Sequence, residues 1–173
     1  MQKPKVLSSE YVLTTPWIKI RKDDLIWPNG KPGQYHVVEL AGASCIICVQ
    51  DERILTVEQH RYTMDCTSIE LPMGGIKEFE PLEAARHELQ EETGYTADQW
   101  KKIGSCYVLN GICRMQMHVF VAEGLHPGTQ QLDDSETGMS VRWIPLDDWR
   151  RMIREGKISD AESLAAWTIY QSR

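Results

Sequence analysis

Phenylalanine is scarce in this chain, with 2 in 173 residues. No apolar run approaches the roughly 18 residues that a membrane-spanning helix needs. Residues 1–11 contain no apolar stretch of the kind that directs export, so the sequence predicts a cytoplasmic protein with no membrane partner. Basic residues are in deficit: 19 Lys+Arg against 25 Asp+Glu leave a net charge of −6. That balance argues against a broad nucleic-acid-binding surface, and it leaves room for a small phosphorylated substrate held through a metal. The 5 cysteines, Cys45, Cys48, Cys66, Cys106 and Cys113, form an odd, scattered set that excludes a disulfide framework. Cys45 and Cys48 have a zinc-like spacing but lie in Ala43-Ser44-Cys45-Ile46-Ile47-Cys48-Val49, which reads as a buried strand. No second cysteine pair or nearby histidine completes a metal site, so they are expected to be small core residues.

What is present is a globular composition, 42% hydrophobic and long enough to bury a core. Residues 1–40 read as extended segments joined by turns, with strands near 11–13, 17–20 and 35–40 and a strong turn signal at Pro28-Asn29-Gly30-Lys31. Residues 46–49 and 53–57 read as a hairpin across Asp51-Glu52. The clearest helix covers 81–93, with Pro81 suited to its first turn, Gly94 to its C-terminal cap, and Leu82, Ala85 and Leu89 as its apolar stripe. Strands follow near 105–109, 117–122 and 141–144, with a polar loop over 126–138. Helices are expected over 146–154 and 161–171. Strands on both sides of a central helix predict a layered mixed α/β (α+β) domain. The organisation expected is an N-terminal antiparallel strand extension over 1–40 and a main domain over 41–173.

The chemistry concentrates in the central helix. Glu88, Glu91 and Glu92 stand at i, i+3 and i+4, within an arc of about 100°. Like charges at these spacings repel by roughly 0.2–0.5 kcal/mol per pair, and a divalent cation reverses that penalty. Carboxylates are the hard oxygen ligands Mg²⁺ prefers, with phosphate oxygens and water filling the octahedron. The trio borders the Ala85/Leu89 stripe, at the edge of the core, and follows a Pro72-Met73-Gly74-Gly75 turn where backbone can approach a ligand closely.

Gly74-x5-Glu80, followed by His87-Glu88-Leu89-x-Glu91-Glu92-x-Gly94-Tyr95, resembles the Nudix box, whose usual form is G-x5-E-x7-R-E-U-x-E-E-x-G-U. The resemblance implies an α/β/α sandwich with a mixed sheet and a Mg²⁺- or Mn²⁺-dependent hydrolase of nucleoside diphosphates linked to another moiety. It further implies that Glu88, Glu91 and Glu92 bind metal, with the Met73 backbone carbonyl as a further ligand. This chain departs from the pattern twice. Only six residues separate Glu80 from His87, where the family has seven, and histidine replaces the family's arginine. A one-residue deletion between Glu80 and Pro81 accommodates both halves and leaves open whether Glu80 joins the ligands. Arg86 is one helical step of about 100° away from position 87, so it cannot stand in for the arginine that braces the helix against its loop.

The likeness extends over most of the chain. Glu58-Gln59-His60-Arg61-Tyr62 resembles the E-Q-x-R segment of the ADP-ribose pyrophosphatase-like branch. Ile69-Glu70-Leu71-Pro72-Met73-Gly74 resembles its entry to the box. From that likeness Arg61 is expected to contact the phosphate or ribose region, with Glu70, Gly74 and Gly75 around the substrate. An arginine fork suits phosphate. Glu136, in the loop Leu132-Asp133-Asp134-Ser135-Glu136-Thr137-Gly138, is the best match for a glutamate that assists the attacking water, a role open also to Glu92 and Glu91. Trp27, beside the N-terminal turn, is a candidate to stack on a base. After Leu109-Asn110-Gly111 the branch's downstream acid is missing, which favours the broader nucleoside diphosphate-sugar class over ADP-ribose alone. The expectation is therefore a homodimeric hydrolase of a small-molecule nucleoside diphosphate derivative. Two alternatives stand beside it: a Nudix-fold binding or regulatory module without turnover, and an enzyme of nucleoside triphosphates.

Overall fold

The computed structural model describes residues 2–76 and 79–173. Among them the chain runs through β1 (Lys5–Thr14), β2 (Ile18–Ile26), β3 (Pro32–Leu40), β4 (Gly42–Ile47), β5 (Val49–Gln50), β6 (Arg53–Arg61), β7 (Cys66–Glu70) and β8 (Met73–Ile76) to helix α1 (Pro81–Thr93). It continues through β9 (Thr96–Tyr107), β10 (Cys113–Arg114), β11 (Gln116–His126) and β12 (Ser140–Pro145) to α2 (Leu146–Arg154) and α3 (Ala161–Gln171). The chain divides into two compact units, one of Met1–Gly42 with Tyr107–Gln116, the other of Ala43–Cys106 with Met117–Arg173.

In the first unit β1, β2 and β3 form an antiparallel meander, and β10 adds to β3 in parallel. The Trp27–Lys31 turn closes through the Trp27 N–H donating to the Lys31 carbonyl at 2.8 Å, with Gly30 at φ +80°. Every residue of β1 is exposed, and Val6, Leu7, Tyr11, Val12 and Leu13 stand among the exposed large apolar side chains.

In the second unit β4 lies between β8 and β11, pairing in parallel with β11 from Ala43↔Met117 to Ile47↔Val121. β6 pairs antiparallel with β5, β7 and β12. The β5–β6 hairpin turns on Asp51 and Glu52, both at positive φ (48° and 56°), as a two-residue turn between twisted strands requires. Ile46, Cys48, Leu55, Phe120 and Ala122 bury one cluster against Ala85 and Leu89 of α1. Pro81 opens α1, and Gly94 closes it at φ 75° by donating its N–H to the Gln90 carbonyl. The helix buries Ala84, Ala85 and Leu89, and then the same face carries Glu92 inward. Further along the chain, Trp149 of α2 meets Trp167 of α3 edge to face, with ring centroids 6.1 Å apart. The Asp160 carboxylate caps α3, accepting the Ser163 N–H at 2.7 Å. The Ser163 hydroxyl in turn accepts the Leu71 N–H at 2.8 Å, fixing the chain just before β8.

The three helices coincide with the spans expected from sequence. The strands run longer, and β7, β8, β10 and the first half of β9 went unpredicted. Thr96-Ala97-Asp98-Gln99-Trp100-Lys101-Lys102 is half polar and mostly exposed, so it offers little of the alternation that marks a strand. Cys45 and Cys48 are both buried and unbridged, as the core reading expects. Burial pushes the Cys48 thiol up to about 12.

Candidate active site

Two strand ends, one helix and one loop meet at a cavity of about 310 Å³ in the second unit, lined by Gln59, His60, Arg61, Tyr62, Thr63, Met73, Glu92, Ser135 and Glu136. Arg61, Glu92 and Glu136, singled out from sequence at distant positions, thus share one cavity. Gln59, His60 and Ser135 join them. They flank Arg61 and Glu136 in the chain, and that adjacency was the only signal for them.

Glu92 is 3% exposed, and its Oε2 accepts the Met73 N–H at 2.9 Å. Burial drives its carboxyl well above the usual carboxylate range. The Met73 hydrogen bond and the Arg61 charge oppose that shift, while Glu88 and Glu136 reinforce it. Glu70, 2% exposed, takes both edges of the Arg61 fork: Nε donates to Oε1 at 2.8 Å and Nη2 to Oε2. That pairing holds the Arg61 guanidinium firmly charged. Glu70 is therefore buried and fixes the orientation of the Arg61 guanidinium.

The remaining carboxylates of α1 each have separate surroundings. The Glu88 carboxyl lies over the bare α-carbon of Gly74, where a Cβ would come within 1.8 Å of it, so Gly74 is there to admit the carboxylate. Around Gly75 there is open space. Glu91 pairs with His87, Nδ1 to Oε2 at 2.8 Å. Phe79 stacks on the His87 ring, centroids 5.5 Å apart and planes inclined 24°. Nothing in the sequence pattern signalled that contact, which joins the loop before α1 to the residue standing in place of the family's arginine. Arg86 points elsewhere, to Glu83. Glu80 is the exposed N-cap residue of α1, its side chain making no cap bond. Lys77 and Glu78, within the Gly74-x5-Glu80 stretch, lie outside the described residues. Trp27 belongs to the first unit, its indole over Gly33 and edge-on to Tyr35 at 6.3 Å.

Among the described residues no group of three or more His, Cys, Asp or Glu side chains is drawn together as a ready metal site. The donor chemistry nevertheless fits a hard divalent cation. A buried carboxyl raised by burial and by two neighbouring carboxyls is stabilised by positive charge. A glycine opposite Glu88 leaves room that any side chain would fill.

Glu136 also lines the cavity. It ends a 3₁₀ turn (Asp134–Glu136), and its Oε2 accepts the Asp133 N–H at 3.2 Å in a capping box.

Comparison with known proteins accords with this arrangement. Residues 39–167 match the NUDIX domain, and residues 4–38 match the nucleoside diphosphate sugar hydrolase N-terminal domain. The chain is 32% identical over 166 residues to an ADP-ribose pyrophosphatase of Bacillus subtilis, covering 94% of this chain and 89% of that protein. It is 30% identical over 166 residues to a methanol dehydrogenase activator of Bacillus methanolicus, with the same shares covered. A crystal structure of an ADP compounds hydrolase, 20% identical, superposes with a TM-score of 0.87 over 99% of this chain and 94% of its own, which shows the same fold.

Proposed function

We propose that this chain, which belongs to the Nudix hydrolase family, cleaves the diphosphate bond of a nucleoside diphosphate-sugar such as ADP-ribose with the help of a divalent cation. The observation that carries this reading is the convergence of Arg61, Glu92 and Glu136 on one cavity beside the Glu88–Gly74 contact.

Arg61 anchors the diphosphate. Its Nε and one Nη2 proton are committed to Glu70, and the remaining N–H groups of the fork are left for phosphate oxygens. Glu92, Glu88 and Glu91 would hold Mg²⁺ or Mn²⁺ together with the Met73 carbonyl. When bound, such an ion neutralises charge on the diphosphate and makes water nucleophilic near neutral pH. Glu136, which shares the cavity with Glu92, orients or deprotonates the attacking water. In-line attack on phosphorus then releases AMP and ribose 5-phosphate from ADP-ribose.

Product analysis over a panel of nucleoside diphosphate-sugars, with and without Mg²⁺, tests the reading. Mg²⁺-dependent release of the nucleoside monophosphate is expected, and no cleavage of any compound would overturn it. A second reading, a Nudix-fold regulatory module, draws on the relative named for activating another enzyme. Binding of the panel without turnover would favour it.

The exposed apolar side chains of β1 support a homodimer, since a bare sheet of this kind is a pairing surface. The free cysteines support a reducing, cytoplasmic setting. No helix among the described residues is long and apolar enough to cross a membrane.

A further inference from the structure

The loop that carries Glu136 is fastened to the end of the helix that carries Glu92. Gln130 Nε2 donates to the Glu92 carbonyl at 2.6 Å, and the Gln131 N–H donates to the Glu91 carbonyl at 2.9 Å. Gly94 and Gly128 lie face to face between these bonds. A Cβ on Gly128 would come within 2.7 Å of the Gly94 carbonyl oxygen, and a Cβ on Gly94 within 2.9 Å of the Gln130 nitrogen. The last carbonyls of a helix lack partners within it. Here the loop supplies donors to two of them, from the residues whose side chains point at the cation site and at His87.

We propose that Gln130 is a positioning residue that sets where Glu136 stands relative to Glu92. The loop leaves β11 at His126 and returns at Ser140. Between those ends it is held at Gln130 and Gln131, by the Asp133–Glu136 capping box, and by the buried Met139. The clamp is the tie that refers Glu136 to α1 rather than to the strand ends. It anchors through the backbone of the two glutamates, so movement of the helix end carries the loop with it. A displacement of about 1 Å in a catalytic group can cost about a hundredfold in rate. The effect of losing the clamp therefore falls on turnover, while Arg61, held by Glu70, keeps its grip on the substrate.

This inference rests on the hydrolase reading above, and the experiment keeps the two apart. Steady-state kinetics on a cleaved nucleoside diphosphate-sugar are measured for Gln130→Ala, for Gln130→Glu, which keeps the shape but cannot donate, and for Gly128→Ala, which wedges the loop from Gly94. Each is expected to lower kcat about tenfold or more with KM nearly unchanged. The same substitutions in a Glu136→Gln background are expected to add almost nothing, because both act through one group. Melting curves show which variants are folded, and Gly128→Ala serves if Gln130→Ala is not. The clamp is overturned if folded variants keep wild-type kcat, or if their losses multiply with that of Glu136→Gln. If wild type cleaves and Glu136→Gln alone is silent, the role given to Glu136 falls, and the clamp with it. If wild type cleaves nothing, the hydrolase reading itself has failed.

Discussion

Glu92→Gln separates the charge of α1 from its packing. In the folded chain without metal the carboxyl is buried, accepts the Met73 N–H, and is pushed upward first by burial and then by Glu88 and Glu136. In the unfolded chain it releases its proton near the ordinary value of 4.5. Above that pH the unfolded state holds fewer protons than the folded one. The contribution of Glu92 is thus fully present below the unfolded value and is lost as pH rises through the folded value. One proton corresponds to about 1.4 kcal/mol per pH unit within that window. For a chain of this size that is about 3–6 °C of Tm per pH unit. Glutamine keeps the shape and an oxygen for Met73 but cannot ionise. In EDTA, Glu92→Gln should melt above wild type near neutral pH, the gap closing as pH falls toward the ordinary glutamate value. With Mg²⁺ the wild type should recover stability and the variant should recover less. Turnover should fall by about 10²–10³-fold, the cost of removing one preorganised electrostatic group. Melting in EDTA between about pH 5 and about pH 8 reads the first effect, and product release at saturating Mg²⁺ reads the second. Parallel melting profiles would refute the desolvated charge, and near wild-type turnover would remove this helix from the mechanism.

Glu83→Gln, on the exposed side of α1 and paired with Arg86, should leave both measurements nearly unchanged. Arg61→Leu strands the buried Glu70 carboxylate and should cost about 3–5 kcal/mol in denaturant unfolding, with much of that recovered when Glu70→Gln is added. Phe79→Ala and His87→Ala should each lower turnover, and the double variant should lose no more than the worse single one, because the two rings act as one contact. Additive losses in that cycle would show that the stack does not brace the helix. Leu89→Ala, fully buried against Ile46 and Phe120, should cost about 2–5 kcal/mol in the same unfolding assay.

The parts legible in the sequence were those with a strong local cause. Pro81 and Gly94 bound α1 because one suits a helix start and the other accepts positive φ at its end. Asp51-Glu52 marked its hairpin as a polar pair between two apolar runs, and both residues take positive φ there. Strands β7 and β8 were invisible for the opposite reason. Cys66-Thr67-Ser68-Ile69-Glu70 has no clean alternation, and its place is set by the partner strand, from Arg61↔Cys66 to Val57↔Glu70. That register puts Arg61 and Glu70 on one face at opposite ends of the ladder, and the long Arg61 side chain closes the gap to form the fork. Sequence alone supplied both residues but not their pairing with each other.

The shortened box makes the same point at the helix. Family pattern puts an arginine at position 87, where a long cation reaches back to the loop, and histidine cannot span that distance with hydrogen bonds. In this chain the loop comes to the side chain instead: Phe79 stacks on His87, and the imidazole holds Glu91 through Nδ1. A stack between two rings needs no donor, so the contact with the loop survives whichever nitrogen carries the proton. The hydrogen bond to Glu91 does require Nδ1–H, and a cation at the α1 carboxylates would compete for the same oxygen. The stack and the proposed cation site would therefore be coupled through Glu91, while Glu92 accepts the Met73 N–H and the Glu88 carboxyl lies over Gly74. The Met73–Glu92 hydrogen bond and the Phe79–His87 stack are separate ties on the same helix, so loss of the stack should weaken turnover without abolishing it.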